Sequence, residues 1–280
     1  MKRILVAIDP SPYTVSVLDT AAWAATRLGA SVELLHVIQR TDAVAARNDM
    51  SGALGLGAKS GLMEELVQIA EAEGRIAREG GKAMLAAGEE RLRAAGLADI
   101  RITHRHGGIV ETIVEREAEA DLVVIGKRGA SSDYARGHLG SKVERVVRES
   151  IRPVLVAARA FSAPQAAVLA FDGGPSARKA VAFLAAQPLI EQSALHIVMA
   201  GTVDSTRRRD LDWAQSMLPD ARLHEIADSP EDAIHEIVDR TQAGLLIMGA
   251  YGHSPLRSLI VGSTTTTLMR TCRIPVLLFR

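Results

Sequence analysis

The sequence predicts an α/β protein made of two tandem units, each a doubly wound, five-stranded parallel sheet. Three observations support this prediction. Short runs of Val, Ile and Leu, typical of buried parallel strands, alternate with stretches whose apolar residues recur at helical spacing. The order of these elements in the first half of the chain recurs in the second half. The 280 residues, 48% of them hydrophobic, are sufficient for two compact cores.

The first unit begins with an apolar run at residues 4–8 that ends at Asp9 and a proline-containing turn. A helical pattern closed by Gly29 follows, and then a second apolar run at residues 32–38. A strand, a helix and a strand in such close succession predict parallel pairing through a right-handed crossover. The other strands of this unit are predicted at residues 100–103, 122–125 and 153–157.

A long segment, about residues 40–95, interrupts the first unit and exceeds its counterpart in the second half. Residues 39–60 are rich in Ala and Gly with little periodicity, which predicts a mobile loop. Residues 62–95 have a helical pattern, and we expect a break at Gly80 and Gly81 because glycine weakens a helix interior.

The second unit repeats the first. Its opening strand ends at Asp172 as the first strand ends at Asp9, and the next strand aligns His196 with His36. The runs at residues 245–249 and 274–279 repeat those at 122–126 and 152–157. We therefore predict units at residues 1–160 and 161–280, with the boundary inside residues 158–164.

Composition excludes several classes of protein. Lys plus Arg equals Asp plus Glu, 33 of each, so no overall field favours nucleic acid or an anionic membrane as a partner. The single cysteine, Cys272, excludes an internal disulfide framework and is expected to be packed rather than reactive. No apolar run has the length of a signal-peptide core or a membrane span, which predicts a cytoplasmic protein.

The strongest functional signal is a glycine-containing loop near the C-terminus. The predicted strand at residues 245–249 ends at Gly249, and the loop contains Gly252 and Gly262 before a helix start at Ser263. Glycines let backbone amides approach a ligand, and a helix N-terminus favours anions. The pattern predicts a phosphate site, although an ordinary strand-to-helix connection has the same features. The first half repeats it with Gly126, Gly129, Gly140 and Ser141.

These recurring elements resemble the universal stress protein family, in particular its tandem form. ATP-binding members of that family carry the motif Gly-x2-Gly-x9-Gly-[Ser/Thr] after the fourth strand, and the second half of this chain fits it fully. The resemblance implies two Rossmann-like units whose final strands pair about a twofold axis to form a pseudo-dimer. It leaves open whether two chains associate.

The resemblance also implies ATP as the ligand, with Mg²⁺ as an optional companion ion. In the second half it assigns to ATP Asp172, near the adenosine, Ile197, Met248, Gly249, Gly252, Gly262, Ser263, Thr264 and Thr265. In the first half the corresponding residues are Asp9, Val37, Gly126, Arg128, Gly129, Gly140 and Ser141.

The first half departs from the motif in two ways. One extra residue separates Gly129 from Gly140, and Lys142 and Val143 replace the Thr pair. ATP is therefore expected mainly in the second half, although Lys127, Arg128 and Lys142 could offset phosphate charge in the first.

Sheet geometry indicates the same locations independently of the resemblance. In an open parallel sheet, ligands bind outside the carboxyl ends of strands where the strand order reverses. If the first and fourth strands of each unit are neighbours there, Asp9 and Gly126 face one crevice, and Asp172 and Gly249 face another. Each aspartate could instead only cap the turn into the following helix.

The histidines favour structure over metal binding. His36 and His196 are expected in the core with a hydrogen-bond partner, and His104 and His106 give a weak zinc signal without a third ligand.

No constellation of catalytic residues emerges, so at most slow ATP hydrolysis is expected. Two functions remain open: a nucleotide-dependent regulatory protein of the stress response, and a scaffold or carrier of an apolar ligand with the segment at 40–95 as its lid.

Overall fold

The computed structural model describes residues 2–39, 56–129, 140–250 and 263–280. Ten strands in these ranges form one sheet, and eight α-helices cover it. The strands are β1 Arg3–Ala7, β2 Ser31–Ile38, β3 Ile100–His106, β4 Leu122–Gly126, β5 Val154–Ala157, β6 Ala166–Ala170, β7 Ala194–Ala200, β8 Arg222–Ile226, β9 Leu245–Gly249 and β10 Val276–Phe279. The helices are α1 Thr14–Leu28, α2 Leu56–Ala94, α3 Ile109–Arg116, α4 Ser141–Glu149, α5 Pro175–Ala186, α6 Ser205–Met217, α7 Pro230–Thr241 and α8 Ser263–Thr271.

The strand order is β3-β2-β1-β4-β5-β10-β9-β6-β7-β8. Strands within each half are parallel, and only the central pair, β5 and β10, is antiparallel, with Leu155 opposite Leu277. The second half therefore repeats the order of the first in reverse across the centre. The predicted α/β class, the five-stranded units and their joining through the final strands are confirmed.

The helices form two layers because the strands are apolar on both faces. Helices α1, α2, α5 and α6 pack on one face of the sheet, and α3, α4, α7 and α8 pack on the other. Alternate residues of β1 illustrate this, since Ile4 and Val6 belong to one core while Leu5 belongs to the other. The carboxyl ends of the strands thus lie between the two helix layers.

Helix α2 runs without interruption through Gly80 and Gly81, so the predicted break is wrong. Among the residues of α2 whose burial is described, the buried ones are Gly81, Leu85, Gly88 and Leu92. They recur at intervals of four, three and four residues, which is the spacing of one helix face. A Cβ on Gly88 would come within 2.9 Å of the Leu34 side chain. The glycines therefore let the helix lie close to β2, and this packing outweighs their low helix propensity. Of the predicted mobile loop at 39–60, residues 56–60 are helical and residues 40–55 lie outside the described residues.

The register of the strands corrects one predicted equivalence. Ala7, two residues before Asp9, pairs with Leu35, whereas Ala170, two residues before Asp172, pairs with Val198. His36 therefore corresponds in position to Met199, and the predicted match of His36 with His196 is wrong. The two strands have similar residue types in an alignment that is displaced by three residues from the structural one.

Candidate functional site

The predicted crevices require particular neighbours in the sheet, and both halves provide them. Strand β1 pairs with β4, and β6 pairs with β9. Asp9 and Gly126 therefore lie at one edge of the sheet, and Asp172 and Gly249 lie at the corresponding edge of the other half. In each half the chain crosses one face after the first strand and the other face after the fourth, so these edges are the points where the order reverses.

The first-half crevice is a cavity of about 650 Å³. Five of the residues predicted for this half line it: Asp9, Val37, Gly126, Arg128 and Gly129. The other two, Gly140 and Ser141, lie at the start of α4, where Gly140 is buried and Ser141 is exposed. The cavity contacts the next residues of that helix, Lys142 and Val143.

Asp9 and Gly129 are brought together closely. A Cβ on Gly129 would lie 2.8 Å from Oδ2 of Asp9, so a larger residue would displace the carboxylate. The backbone oxygen of Asp9 accepts hydrogen bonds from the Ser11 amide, at 2.7 Å, and from the Thr14 hydroxyl. The aspartate thus also organises the turn into α1.

Gly126 and Gly249 have a structural requirement besides any ligand. A Cβ on Gly126 would be 2.9 Å from Cβ of Tyr13, and one on Gly249 would be 3.0 Å from the Ala177 amide nitrogen. In both halves the glycine that ends the fourth strand lets the first helix of that half pack against it. Either role alone would require glycine at these positions.

The cations near the first-half crevice do not act as a group. Arg128 and Lys142 line the cavity, and the Lys142 ammonium donates a hydrogen bond to the side chain of Gln39. Lys127 is instead buried and donates to the backbone oxygen of Cys272 in the other half of the chain. Burial lowers the pKa of Lys127 to about 8. The suggestion that Lys127 offsets phosphate charge is therefore wrong.

Cys272 is packed, as predicted. Its side chain is buried, and burial raises the pKa of its thiol to about 11. A thiol with such a pKa remains protonated at neutral pH and is a poor nucleophile.

In the second half, Asp172 is exposed, and its Oδ1 accepts a hydrogen bond from the Gly174 amide at 2.9 Å. The turn-capping role is thus present in this half. Met248 is buried at the position equivalent to Ile125, which lines the first-half cavity. Ile197 lies in the core on the side of α5 and α6, and the register makes Ala200 the counterpart of Val37.

The helix start of the second half is partly described. Ser263 is the first residue of α8, Thr264 is half-buried and Thr265 is buried. Within the described part of the chain, the Thr266 hydroxyl is the one buried side-chain polar atom with no hydrogen-bond partner. Gly252 and Gly262 lie outside the described residues.

The comparisons with known proteins agree with this architecture. The sequence profile of the universal stress protein family matches residues 1–158 and 209–280. A universal stress protein from the cyanobacterium Synechocystis is 33% identical over 288 residues, which cover all of both chains. This chain belongs to the universal stress protein family.

More distant relatives of the family agree with this assignment. A universal stress protein from Mycobacterium tuberculosis is 27% identical over 195 residues, covering 61% of this chain and 65% of that protein. The crystal structure of a universal stress protein from Archaeoglobus fulgidus has a TM-score of 0.72 at 19% identity, covering 99% of this chain and 98% of that one. At that identity the likeness shows the fold, and here it extends over both halves.

The buried histidines pair across strands in each half. Nδ1 of His36 lies 3.1 Å from Nε2 of His104, and Nδ1 of His196 lies 2.9 Å from Nε2 of His224. The predicted core role with a hydrogen-bond partner is confirmed for His36 and His196. Among the described residues, no group of three or more His, Cys, Asp or Glu side chains is arranged to hold a metal ion, so His104 and His106 have no third ligand there.

Helix α2 contributes a wall to the first-half cavity that was not predicted from the sequence: Ala77, Gly80, Gly81 and Met84. The signal was present, because Gly81, Leu85, Gly88 and Leu92 share one helical face and fix which side of α2 meets the sheet. None of the helices in the described ranges has the length and apolarity needed to span a membrane.

Proposed function

We propose that this universal stress protein binds ATP at the carboxyl ends of β6 and β9 and that occupancy of this site regulates its conformation or its choice of partner in a stress response. The observation that carries the proposal is the direct pairing of β6 with β9, which brings Asp172 to the same edge as Gly249. Gly249 opens a motif whose spacing is that of the ATP-binding family members, and Ser263 closes it at the first residue of α8.

The described residues fit a phosphate-bearing ligand in chemistry. Helix α8 begins with Ser263, Thr264 and Thr265, so hydroxyl groups accompany the free amides and the favourable dipole of a helix N-terminus. The buried hydroxyl of Thr266, in the same turn, has no hydrogen-bond partner among the described residues. Asp172 supplies a carboxylate suited to ribose hydroxyls at the opposite strand end.

Mg²⁺ would accompany the triphosphate in this proposal. Magnesium retains several waters and binds mainly through phosphate oxygens, so it needs few protein ligands. We propose adenine nucleotide as the small-molecule partner and the cytoplasm as the location, with no role for nucleic acid. The three arginines at 207–209 agree with this, since Arg208 pairs with Glu225 and Arg207 binds the backbone oxygens of Ala200 and Thr202.

The test compares two equivalent substitutions in the two halves. Gly262→Val places a branched side chain in the last glycine of the second-half motif, and Gly140→Val does the same at its first-half counterpart. Calorimetric titration with ATP and Mg²⁺ should show at least a tenfold loss of affinity for Gly262→Val and an affinity close to wild type for Gly140→Val. Circular dichroism and denaturation of both variants control for folding.

Unchanged ATP affinity in a folded Gly262→Val variant would overturn the proposal. Loss of ATP in Gly140→Val alone would place nucleotide in the first half instead.

A further inference from the structure

The first-half cavity differs in construction from the nucleotide site proposed for the second half. We propose that it is a separate site for a small amphipathic ligand, with an apolar body and one anionic group such as a carboxylate or sulfonate. The cavity volume of about 650 Å³ lies within the range of small-molecule sites. The inference does not depend on ATP binding by the second half.

Helix α2 gives this cavity a wall that its equivalent helix in the second half, α6, does not provide. Ala77, Gly80 and Met84 on α2 line it from one side of the sheet, and Ile109 on α3 lines it from the other. In the second half the equivalent helix, α6, begins at Ser205, five residues after β7 ends at Ala200. Residues 56–80 of α2 form an additional helical stretch before the part that packs on the sheet. Helix α6 has no such additional stretch.

The lining is mainly apolar, including the place that phosphate would occupy. Apolar side chains from β2, β4 and three helices surround the cavity: Val37, Ile38, Ile125, Met84, Ile109, Ile113, Val143 and Val146. Val143 and Val146 are on the first turns of α4, where the second half has Thr265 and Leu268. These side chains offer no hydrogen bonds to a triphosphate, so burying phosphate against them is unfavourable.

The cationic groups are sufficient for one anion. Of the residues the structure describes, no Asp or Glu lies within ion-pair distance of the half-buried Arg128 guanidinium, which lines the cavity. Lys142, the other cation of the lining, already donates to Gln39. A guanidinium fork matches one planar, doubly accepting anion such as a carboxylate.

The remaining polar groups of the lining do not add positive charge. Burial and the neighbouring His104 lower the pKa of His36, so its imidazole is neutral at pH 7. Asp9 adds a carboxylate to the lining beside Gly129, so the described lining carries two cationic side chains and one acidic one. The charge of the described lining therefore suits an organic monoanion better than a triphosphate.

A pair of fluorescent probes tests both parts of the inference on the full chain. 8-Anilinonaphthalene-1-sulfonate has an apolar body and one anionic group, and N-phenyl-1-naphthylamine has a similar body without the charge. We expect saturable binding of both, with the sulfonate tighter. Arg128→Gln should weaken the sulfonate about tenfold, the typical effect of one charge-assisted hydrogen bond, and change the neutral probe less than twofold.

Matched substitutions on α2 identify the site. Ala77→Phe places a ring at the cavity wall, and Ala86→Phe places the same ring at an exposed position of the same helix outside the lining. Probe affinity should fall at least fivefold for Ala77→Phe and stay within twofold of wild type for Ala86→Phe. Gly80→Phe is a second filling variant, since a Cβ there has no atom within 4 Å.

Three outcomes would overturn the inference. Equal probe affinity in the Ala77→Phe, Gly80→Phe and Ala86→Phe variants would place the probe elsewhere. Equal loss of both probes in Arg128→Gln would remove the anionic requirement. Competitive displacement of the probe by ATP in the Gly262→Val background would make the cavity a nucleotide site. Loss of ATP binding in Gly262→Val with unchanged probe binding supports both this inference and the proposed function.

Discussion

Two adjacent glycines in α2 have opposite surroundings although both are helical. Gly81 is buried, and a Cβ on it would lie 2.7 Å from Nδ1 of His36 and 2.7 Å from Nε2 of His104. Gly80 is exposed, and a Cβ on it would meet no atom within 4 Å. Glycine at position 81 therefore lets the helix contact the histidine pair, whereas position 80 has no such steric requirement.

We predict that Gly81→Ala and Gly80→Ala change stability in opposite directions. Forcing a methyl group against two paired rings should cost about 1–3 kcal/mol in the free energy of unfolding, more than the helix-propensity gain. Gly80→Ala should gain about 0.5–1 kcal/mol from reduced backbone entropy. Urea denaturation of both variants measures the difference, and equal effects would show that Gly81 does not contact the pair.

The buried histidine pairs make stability depend on pH. Burial, followed by a neighbouring cation or imidazole, lowers the pKa values of His36, His104, His196 and His224 below the ordinary 6.5. The unfolded chain therefore takes up these protons at a higher pH than the folded chain, and stability must fall as pH decreases below about 6.5.

We predict that the double variant His196→Gln, His224→Gln loses part of this dependence. The wild-type free energy of unfolding should decrease from pH 7 to pH 5, and the decrease should be smaller in the variant because two of the four groups are gone. Denaturant titrations at several pH values provide the measurement. A wild-type stability that is flat or rising over this interval would contradict the assigned direction of the pKa shifts.

At the scale of elements, a buried ion pair fixes α3 to β2. Glu33 is 1% exposed, and both of its carboxylate oxygens accept hydrogen bonds at 2.9 Å from Nε and Nη2 of Arg116. Thr103 donates a third hydrogen bond to Glu33. Burial alone would raise the pKa of Glu33, but the hydrogen bonds from Arg116 and Thr103 lower it overall.

We predict that Arg116→Leu lowers the free energy of unfolding by about 3 kcal/mol or more, because it leaves a buried carboxylate without its main partner. The matched control is Arg93→Leu, which breaks the exposed pair with Glu89 on α2 and should cost less than about 1 kcal/mol. Denaturant titration compares the two variants. Similar costs would mean that the Glu33 pair contributes no more than a surface pair.

Sequence patterns predicted most accurately the strands that are continuously buried. Strands β1, β4 and β9 are apolar on both faces, and their runs located them within one or two residues. No sequence pattern predicted β8, Arg222–Ile226, which has three polar side chains and lies at the edge of the sheet. An edge strand has one neighbour and needs no apolar run, so this pattern gave no signal.

The candidate site was predictable only in part for a similar reason. Asp9, Gly126 and Gly129 lie at or just after the ends of β1 and β4, so the strand order was sufficient to predict that they line one cavity. The α2 wall depended on helix α2 continuing through two glycines, which tertiary packing decides and local propensity does not. The predicted equivalence of His36 and His196 was wrong for a related reason. Strand register depends on side-chain packing, and similar residue types in two strands do not determine it.

At the scale of the whole molecule, one sheet passes from the first half to the second through β5 and β10. Leu155 and Leu277 are opposite each other in this antiparallel pair, and both are fully buried. The sequence repeat predicted this joining only through the family resemblance, because no local pattern distinguishes a final strand that pairs across the centre from an outer one.

We predict that Leu155→Ala and Leu277→Ala are coupled. Each should cost about 2–5 kcal/mol, and the double variant should depart from the sum by about 0.5 kcal/mol or more because the two side chains share one cavity. Leu34→Ala with Leu277→Ala is the control, since three strands lie between β2 and β10 and these costs should add. Equal additivity in both cycles would show that the central pair does not couple the halves.

Native mass spectrometry in the presence of ATP and Mg²⁺ counts the nucleotides bound to the intact chain and so tests the proposed site. Because only the second half carries the intact motif, we predict one ATP per chain. This ATP should be retained in Gly140→Val and lost in Gly262→Val. Two ATP molecules per wild-type chain, or none, would contradict the assignment.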